Sequence, residues 1–233
     1  MLLNFGDAVL CRFANALILY IFPLIMDIEK NKERFIELLR STEREGIDYV
    51  IEDLEYAGFF TAPASSTQHL NYDGGLVEHS LNVYDMAVML REQLVVRRPD
   101  LEKHLPLESI VIASLLHDVC KADIYRKTTR KRKNAIGIYE EYEAYEVDYS
   151  NMPIGHGEKS VIMLLRSGMY LEDDEVIAIR WHMSAWDLPF QSFELSKSLN
   201  VARDKSPLCS LIHTADTLAA NLIERKADVV NRD

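Results

Sequence analysis

The sequence predicts an all-α protein, because apolar residues recur at three- and four-residue steps along most of the chain after about residue 26. Stretches with the strict alternation of β-strands are scarce. The chain has 233 residues, 48% of them hydrophobic, which is enough for one sizeable buried core. We therefore expect a single helical domain over residues 26–233, with one small β-hairpin excursion.

The helices predicted from this periodicity lie at about 28–42, 46–56, 75–96, 107–122, 157–167, 172–183 and 206–225. Ser206 followed by Pro207 is typical of an N-cap and a first helical turn. The stretch LEDDEV places acidic side chains in the first turn of the helix at 172–183, where they interact favourably with the positive end of the helix dipole. Around 126–150, tyrosines and isoleucines alternate with polar residues, and this pattern predicts the hairpin.

The first 25 residues differ in character from the rest. The stretch ANALILYIFPLIM at 14–26 is uncharged and almost wholly apolar, like the core of a signal peptide. One basic residue precedes it, no small-residue cleavage site follows, and it is too short to span a bilayer comfortably. We interpret 1–25 as an apolar extension outside the native core, with Met26 as an alternative translation start; a secretory signal is the other interpretation. We expect no membrane association.

Charge and cysteine content narrow the class of protein. The formal net charge of −11 argues against a duplex-DNA binder but allows small anionic ligands to bind through local charge. Cys11, Cys120 and Cys209 lie far apart, without a C-x-x-C pair, as is typical of a reducing compartment. We therefore expect a cytoplasmic protein.

The most informative stretch is ESIVIASLLHDVCKAD, residues 108–123, which should form a helix buried on most sides. His117 and Asp118 interrupt its apolar run. An ionised carboxylate in such surroundings is costly unless it is compensated, and a bound cation is one adequate compensation. His117 could bind one metal ion while the two oxygens of Asp118 reach between two ions. Lys121 shares this helix face and could meet a substrate phosphate.

Other metal-capable side chains recur inside apolar helices or at helix starts. His79 follows two glycines in GGLVEHSLNV, and His156 lies between glycines in PIGHGEKSV. His182 ends an apolar helix in AIRWHMSAWD, and Asp216 lies within LIHTADTLAANL. One histidine on an apolar helix is usually a core residue, so it is the ordered set H, HD, H, H, D that predicts a metal centre.

Several other features carry weaker signals. His213 is expected to support a ligand rather than to be one, and His69 and His104 lie in polar contexts and are assigned no role. GHGEKS lacks the glycine before the lysine that a P-loop requires, because Glu158 occupies that position. The basic run RKTTRKRK at 126–133 is either a solvated loop or a region that attracts phosphate.

The motifs GGLVEHSLNV, SLLHDVCKAD, GHGEKS and HTADTLA resemble, in this order, those of the HD-domain superfamily of metal-dependent phosphohydrolases, especially small phage and bacterial members. The resemblance implies an HD-domain helical bundle. The ligands that it implies for one ion are His79, His117, Asp118 and Asp216, and those for a second ion are His156, His182 and the shared Asp118. Where the motif often has glycine before its lysine, this chain has Cys120, which leaves the ligand set intact.

The resemblance also implies the reaction. One or two divalent transition metal ions (Mn, Fe, Co, Ni or Zn) would activate a hydroxide that cleaves a phosphomonoester or phosphodiester, with Asp118 and Lys121 as the catalytic residues. Phosphate contacts are expected from Lys121, Arg126 and Lys159. No separate nucleic-acid module is visible, so the expected partner is a nucleotide or short oligonucleotide rather than duplex DNA. The alternatives are an HD-type di-iron oxygenase and a non-catalytic nucleotide-binding sensor. The oligomeric state is not indicated.

Overall fold

A computed structural model describes residues 27–189 and 192–225. The extension at 1–25 and the proposed start at Met26 lie outside these residues. Within the described ranges the chain is helical apart from one two-stranded antiparallel hairpin, so the predicted fold class is confirmed. None of the helices in this part of the chain combines the length and apolar character that crossing a bilayer requires.

The helices follow one another with short connections. They are α1 (27–40), α2 (Ile47–Ala57), α3 (Gly75–Arg97), α4 (Leu107–Leu116), α5 (His156–Arg166), α6 (Asp173–Trp181), α7 (Phe193–Lys205) and α8 (Pro207–Leu218). Short 3₁₀ segments lie at Phe59–Thr61, Pro99–His104, Val119–Asp123 and Ser184–Asp187, and a π-helical turn over Ala219–Ile223 continues α8. The hairpin consists of β1 (Tyr125–Lys133) and β2 (Tyr139–Val147).

The long helix α3 lies at the centre and packs against α4 and α8, while α6 packs against α4, α5 and α8. One hydrophobic core joins these helices to α1 and α2. Its fully buried side chains include Phe35 of α1, Leu76 of α3, Ile110 of α4, Ile179 of α6 and Leu208 of α8. Each such side chain stabilises the fold by about 1.5–3 kcal/mol. The first two helices therefore share the core of the helices that carry the predicted ligands.

The helix predicted at 107–122 is shorter in the structure. Helix α4 ends at Leu116, and the chain continues as the 3₁₀ segment Val119–Asp123 after Asp118 adopts φ −113° and ψ 20°. The Ser114 carbonyl accepts a hydrogen bond from the His117 ring at 2.8 Å. A side chain that takes a backbone acceptor in this way competes with continued α-helix. The predicted ligand doublet thus lies at a helix end rather than within a helix.

The C-terminal part also differs from the prediction. Helix α7 was not predicted, because only Leu199 and Ala202 of its residues are buried and its apolar stripe is narrow. Ser206 does occupy the N-cap position of α8, but its buried hydroxyl makes no hydrogen bond with the described residues. The helix predicted at 206–225 changes to a π-helical turn over Ala219–Ile223.

The basic run at 126–133 lies in β1 rather than in a loop, and the acidic strand β2 faces it. Lys131 pairs with Glu141 at 3.2 Å, and Arg132 pairs with Glu140 at 2.8 Å. Opposite charges on facing strands stabilise a hairpin modestly. Two of the six basic residues of this run are therefore neutralised within the hairpin itself.

Candidate metal centre

His79 enters the core because the two glycines before it allow α3 to begin against another part of the backbone. A Cβ atom on Gly75 would lie 2.0 Å from the carbonyl oxygen of Leu70, so only glycine permits this approach. Gly74 adopts φ 85°, a conformation that glycine favours, and α3 starts at the next residue. One turn later the His79 side chain is fully buried.

Four further predicted ligands meet His79 from other helices. His117 and Asp118 follow the end of α4, His182 follows the end of α6, and Asp216 lies in α8. The Nε2 atom of His79 lies 3.3 Å from that of His117, 3.3 Å from Asp216 Oδ1 and 3.6 Å from Asp118 Oδ2. The distance from His117 Nε2 to Asp118 Oδ2 is 3.2 Å, and that from His182 Nε2 to Asp118 Oδ1 is 3.4 Å.

The three buried imidazoles turn the same ring atom towards these carboxylates. The Nδ1 atom of His117 lies 2.8 Å from the Ser114 carbonyl oxygen, and that of His182 lies 2.7 Å from the Ile179 carbonyl oxygen. Because a carbonyl only accepts, each Nδ1 carries the proton that it donates, and a neutral ring then has a lone pair on Nε2. The predicted ligand atoms His117 Nε2 and His182 Nε2 therefore present lone pairs to the same small volume.

Two buried atoms in this volume have no hydrogen-bond partner among the described residues: Asp118 Oδ1 and His182 Nε2. Buried polar atoms are rarely left in this state, and a bound cation is one reason why they can be. Imidazole nitrogens together with carboxylate oxygens form a donor set suited to Mn, Fe, Co, Ni or Zn. The residues present therefore fit a divalent transition metal ion.

The positive groups around Asp118 favour its ionised form. Burial opposes ionisation of this carboxylate, but the Lys121 ammonium at 2.6 Å and the His117 ring hold the pKa of Asp118 well below its usual range. Burial also lowers the pKa of His79, yet the carboxylates of Asp118 and Asp216 outweigh it and raise that pKa well above its usual value. The cluster thus has ionised carboxylates that attract positive charge, whether a proton or a metal ion.

Ligand atoms within 4.8 Å of one another form three groups among the described residues, and two of these overlap around this volume. One group is His79, His117 and Asp118, and the other is His117, His182 and Asp216. His156 belongs to neither group. It is half-buried at the start of α5, burial lowers its pKa, and the nearby charges of Asp118, Lys121 and His182 act on the same ring. The structure therefore brings five of the six predicted ligands together and leaves His156 close by.

The predicted phosphate contacts lie in different surroundings. Lys121 lines the cavity beside the cluster. Lys159 is buried, and its Nζ atom binds the Asp123 carboxylate at 2.6 Å and the Asn151 carbonyl at 2.7 Å. The exposed Arg126 lies on β1, 3.7 Å from Asp148. Lys121 is thus the one member of this predicted set that the structure places at the cluster.

A carboxylate outside the predicted ligand set, Glu224, supports His79. The fully buried Glu224 side chain accepts a hydrogen bond from His79 Nδ1 at 2.9 Å and from Asn82 at 3.1 Å, and it also contacts His69 Nδ1. Burial opposes ionisation of Glu224, but these donors lower its pKa to about 2. A carboxylate that holds a ligating histidine in this way fixes the ring and its tautomer.

The local sequence gave little sign of this role. Glu224 stands in the polar stretch IERK, and the register that turns it inwards depends on the π-helical turn before it, in which its backbone N–H donates to Ala219 at 3.0 Å. A π-turn is rare and frequently marks a functional position. His213, which was expected to support a ligand, donates from Nδ1 to the backbone carbonyl of His182 at 2.7 Å.

A cavity of about 530 Å³ opens beside the cluster. Asp118, Lys121, His182 and Asp216 lie at its inner side, and the exposed Trp186 lies on its wall. The volume suits one small organic ligand. A ligand in this cavity would meet the predicted metal ligands, one ammonium group and one large aromatic face.

A protein-family model described as HD domain matches residues 76–221. The match includes the six predicted ligands and ends before Glu224. No curated protein and no solved structure matches the chain.

Proposed function

The chain belongs to the HD-domain family, and from this membership we propose that it is a metal-dependent phosphohydrolase that cleaves a phosphomonoester or phosphodiester of a nucleotide or short nucleic acid. The observation that carries the proposal is the convergence of imidazole Nε2 atoms and carboxylates on one buried volume, with Asp118 Oδ1 and His182 Nε2 lacking hydrogen bonds there. This donor set supports a metal-dependent hydrolase.

In the proposed centre, the residues that would hold a first ion are His79, His117, Asp118 and Asp216. His156, His182 and Asp118 would hold a second. A divalent ion held there supplies Lewis acidity towards a water molecule and a phosphoryl oxygen. Glu224 and the carbonyls of Ser114 and Ile179 keep the imidazoles in the tautomers that this binding needs.

The cavity residues would bind the substrate. Lys121 remains cationic, because its ion pair with Asp118 raises its pKa above its usual value despite burial. Because it also lines the cavity, its ammonium group could contact a phosphate that approaches Asp118. Trp186 lines the cavity and is 87% exposed, so its ring offers a flat face to a nucleobase. Together these side chains would orient a phosphate towards the cluster and a base towards the opening.

The test is an activity screen of metal ions against phosphoesters, with protein purified without chelator. We expect phosphate or nucleotide release with at least one of Mn, Fe, Co, Ni or Zn, and none from the Asp118→Ala variant, which should also retain far less metal. A folded Asp118→Ala protein with unchanged metal content and rate would contradict the site. Oxygen consumption by the iron-loaded protein, with no hydrolysis, would indicate the oxygenase, and nucleotide binding without turnover would indicate the sensor.

A further inference from the structure

The cavity beside the cluster adjoins two others. It shares Gln68, His69 and Arg225 with a second cavity of about 660 Å³. The second cavity shares Thr67 and Asn71 with a third, of about 260 Å³, that lies against the hairpin. We call the three cavities together the extended groove. It runs from the predicted metal ligands, along residues 67–71, to the β-hairpin.

The far end of the extended groove carries a cation without an ion-pair partner. Arg130 of β1 lines the third cavity, and among the described residues no carboxylate lies within ion-pair distance of it. Its neighbours on the same strand are paired: Lys127 with Asp73, and Lys131 with Glu141. In a chain with a net charge of −11, an unpaired arginine that lines a cavity is a local site for an anion.

The near end has a similar cation. Arg225 lines both the first and the second cavity, and it has no ion-pair partner within the described ranges. Between the two arginines, the groove offers uncharged hydrogen-bonding groups from Thr67, Gln68 and Asn71. Two carboxylates also line it, but each is already bonded within the protein: Glu78 accepts from Tyr72, and Glu224 accepts from His79. Tyr142, across the hairpin from Arg130, adds an aromatic ring to the third cavity, which Arg132 and Glu143 also line with one charge of each sign. Cations separated by amides and an aromatic ring suit a chain of phosphates and bases.

The first cavity is by itself large enough for a mononucleotide-sized ligand. A mononucleotide bound there would leave the rest of the extended groove and Arg130 without a ligand. We therefore infer that the extended groove binds a single strand of several nucleotides, with the phosphate to be cleaved at the metal centre and a phosphate farther along the strand at Arg130. This inference rests on the proposed phosphohydrolase function and narrows its substrate to short single-stranded nucleic acid.

The hairpin offers a matched pair of variants. Arg130→Gln and Lys131→Gln remove the same charge at adjacent positions, but neighbouring residues of a strand face opposite sides. Arg130 lines the groove, whereas Lys131 does not and is paired with Glu141. Any general effect of charge on association should be equal in the two variants, so a difference between them reports contact within the groove.

The experiment measures hydrolysis and binding as a function of strand length. Substrates are a mononucleotide phosphoester and single strands of two, four and six nucleotides, each with ribose and with deoxyribose. Binding of a fluorescent hexanucleotide is followed by anisotropy on protein without added metal. We expect KM to fall with length in the wild type, and Arg130→Gln to raise KM and the Kd of the hexanucleotide by about threefold to tenfold. The rate on the mononucleotide should be the same in Arg130→Gln as in the wild type. In Lys131→Gln, KM and the Kd of the hexanucleotide should both equal the wild-type values.

Two results would overturn the inference: a wild-type protein whose KM and Kd do not depend on length, or equal effects of Arg130→Gln and Lys131→Gln. A protein that hydrolyses no phosphoester would contradict the proposed function instead. In that case the anisotropy measurement still decides the inference, because length-dependent binding that weakens in Arg130→Gln supports the groove and its absence contradicts it.

Discussion

At the scale of the residue, one hydrogen bond decides what each histidine can do. His117 and His182 each donate from Nδ1 to the carbonyl of the residue three positions earlier, Ser114 and Ile179. The remaining nitrogen, Nε2, thereby faces Asp118 and carries a lone pair in the neutral ring, and that of His182 makes no hydrogen bond with the described residues.

The two histidines beside Asp118 distinguish one metal ion from two. If His156 and His182 add a second ion, then changing either to alanine should remove one metal equivalent, leave one bound and lower the rate strongly. Elemental analysis of the wild type, His156→Ala and His182→Ala, beside rates on a generic phosphodiester, checks this. His104→Ala, on an exposed 3₁₀ segment, is the control. One metal in every protein with undiminished rates would make the centre mononuclear.

At the scale of the element, predicted ligands follow the C-terminal ends of α4 and α6, and one arginine connects the N-terminal ends of these two helices. Arg44, in the turn before α2, binds Glu108 in the first turn of α4 and Glu175 in the first turn of α6. Glu175 is fully buried, and its carboxylate also accepts the backbone N–H of Glu172 at 2.9 Å. The relative position of two ligand-bearing helices thus depends on one guanidinium group.

Replacing Arg44 should therefore destabilise the protein. Arg44→Met leaves the buried Glu175 carboxylate without its counter-ion, a change that typically costs about 3–5 kcal/mol. Urea denaturation followed by circular dichroism measures the free energy of unfolding. Arg40→Met is the matched control, because its partner Asp48 is exposed and such pairs contribute about 0–1 kcal/mol. Equal losses in the two variants would show that the Arg44 network does not hold the helices.

At the scale of the whole molecule, the site is closed by contacts between distant parts of the chain. Glu224 lies 145 residues from His79 and 155 from His69 in the sequence, yet all three side chains are in contact. The contact forms because α3 and α8 pack side by side in the core and the π-helical turn continues from α8. The C-terminal part of the described chain thus supports a ligand on the central helix.

Loss of the negative charge of Glu224 should weaken metal binding without unfolding the protein. Glu224→Gln keeps the shape of the side chain but removes the charge that orients His79, so we expect metal affinity to fall about 10–100-fold. Competition with a chromogenic chelator measures the Kd of the metal. Glu33→Gln, at an exposed position of α1, is the control. An unchanged Kd in Glu224→Gln would show that the carboxylate does not support the ligand.

The sequence alone predicted the helical class, the place of the hairpin and the family. It also singled out the histidines and aspartates in apolar surroundings, of which five now lie together. These features are local, because the spacing of apolar residues and the polarity of a side chain's sequence neighbours are both properties of a short stretch of chain. His117 could therefore be recognised from SLLHDVCKAD alone.

Which side chains meet depends instead on the tertiary structure. It turned Glu224 and His69 towards His79, paired Lys159 with Asp123 beside the Asn151 carbonyl, and opposed the basic strand β1 to the acidic strand β2. A polar residue such as Glu224 has the same local signature whether it lies on the surface or is buried against a distant partner. The difference arises only when packed helices bring that partner within hydrogen-bonding distance, because desolvation and pairing are properties of the assembled core.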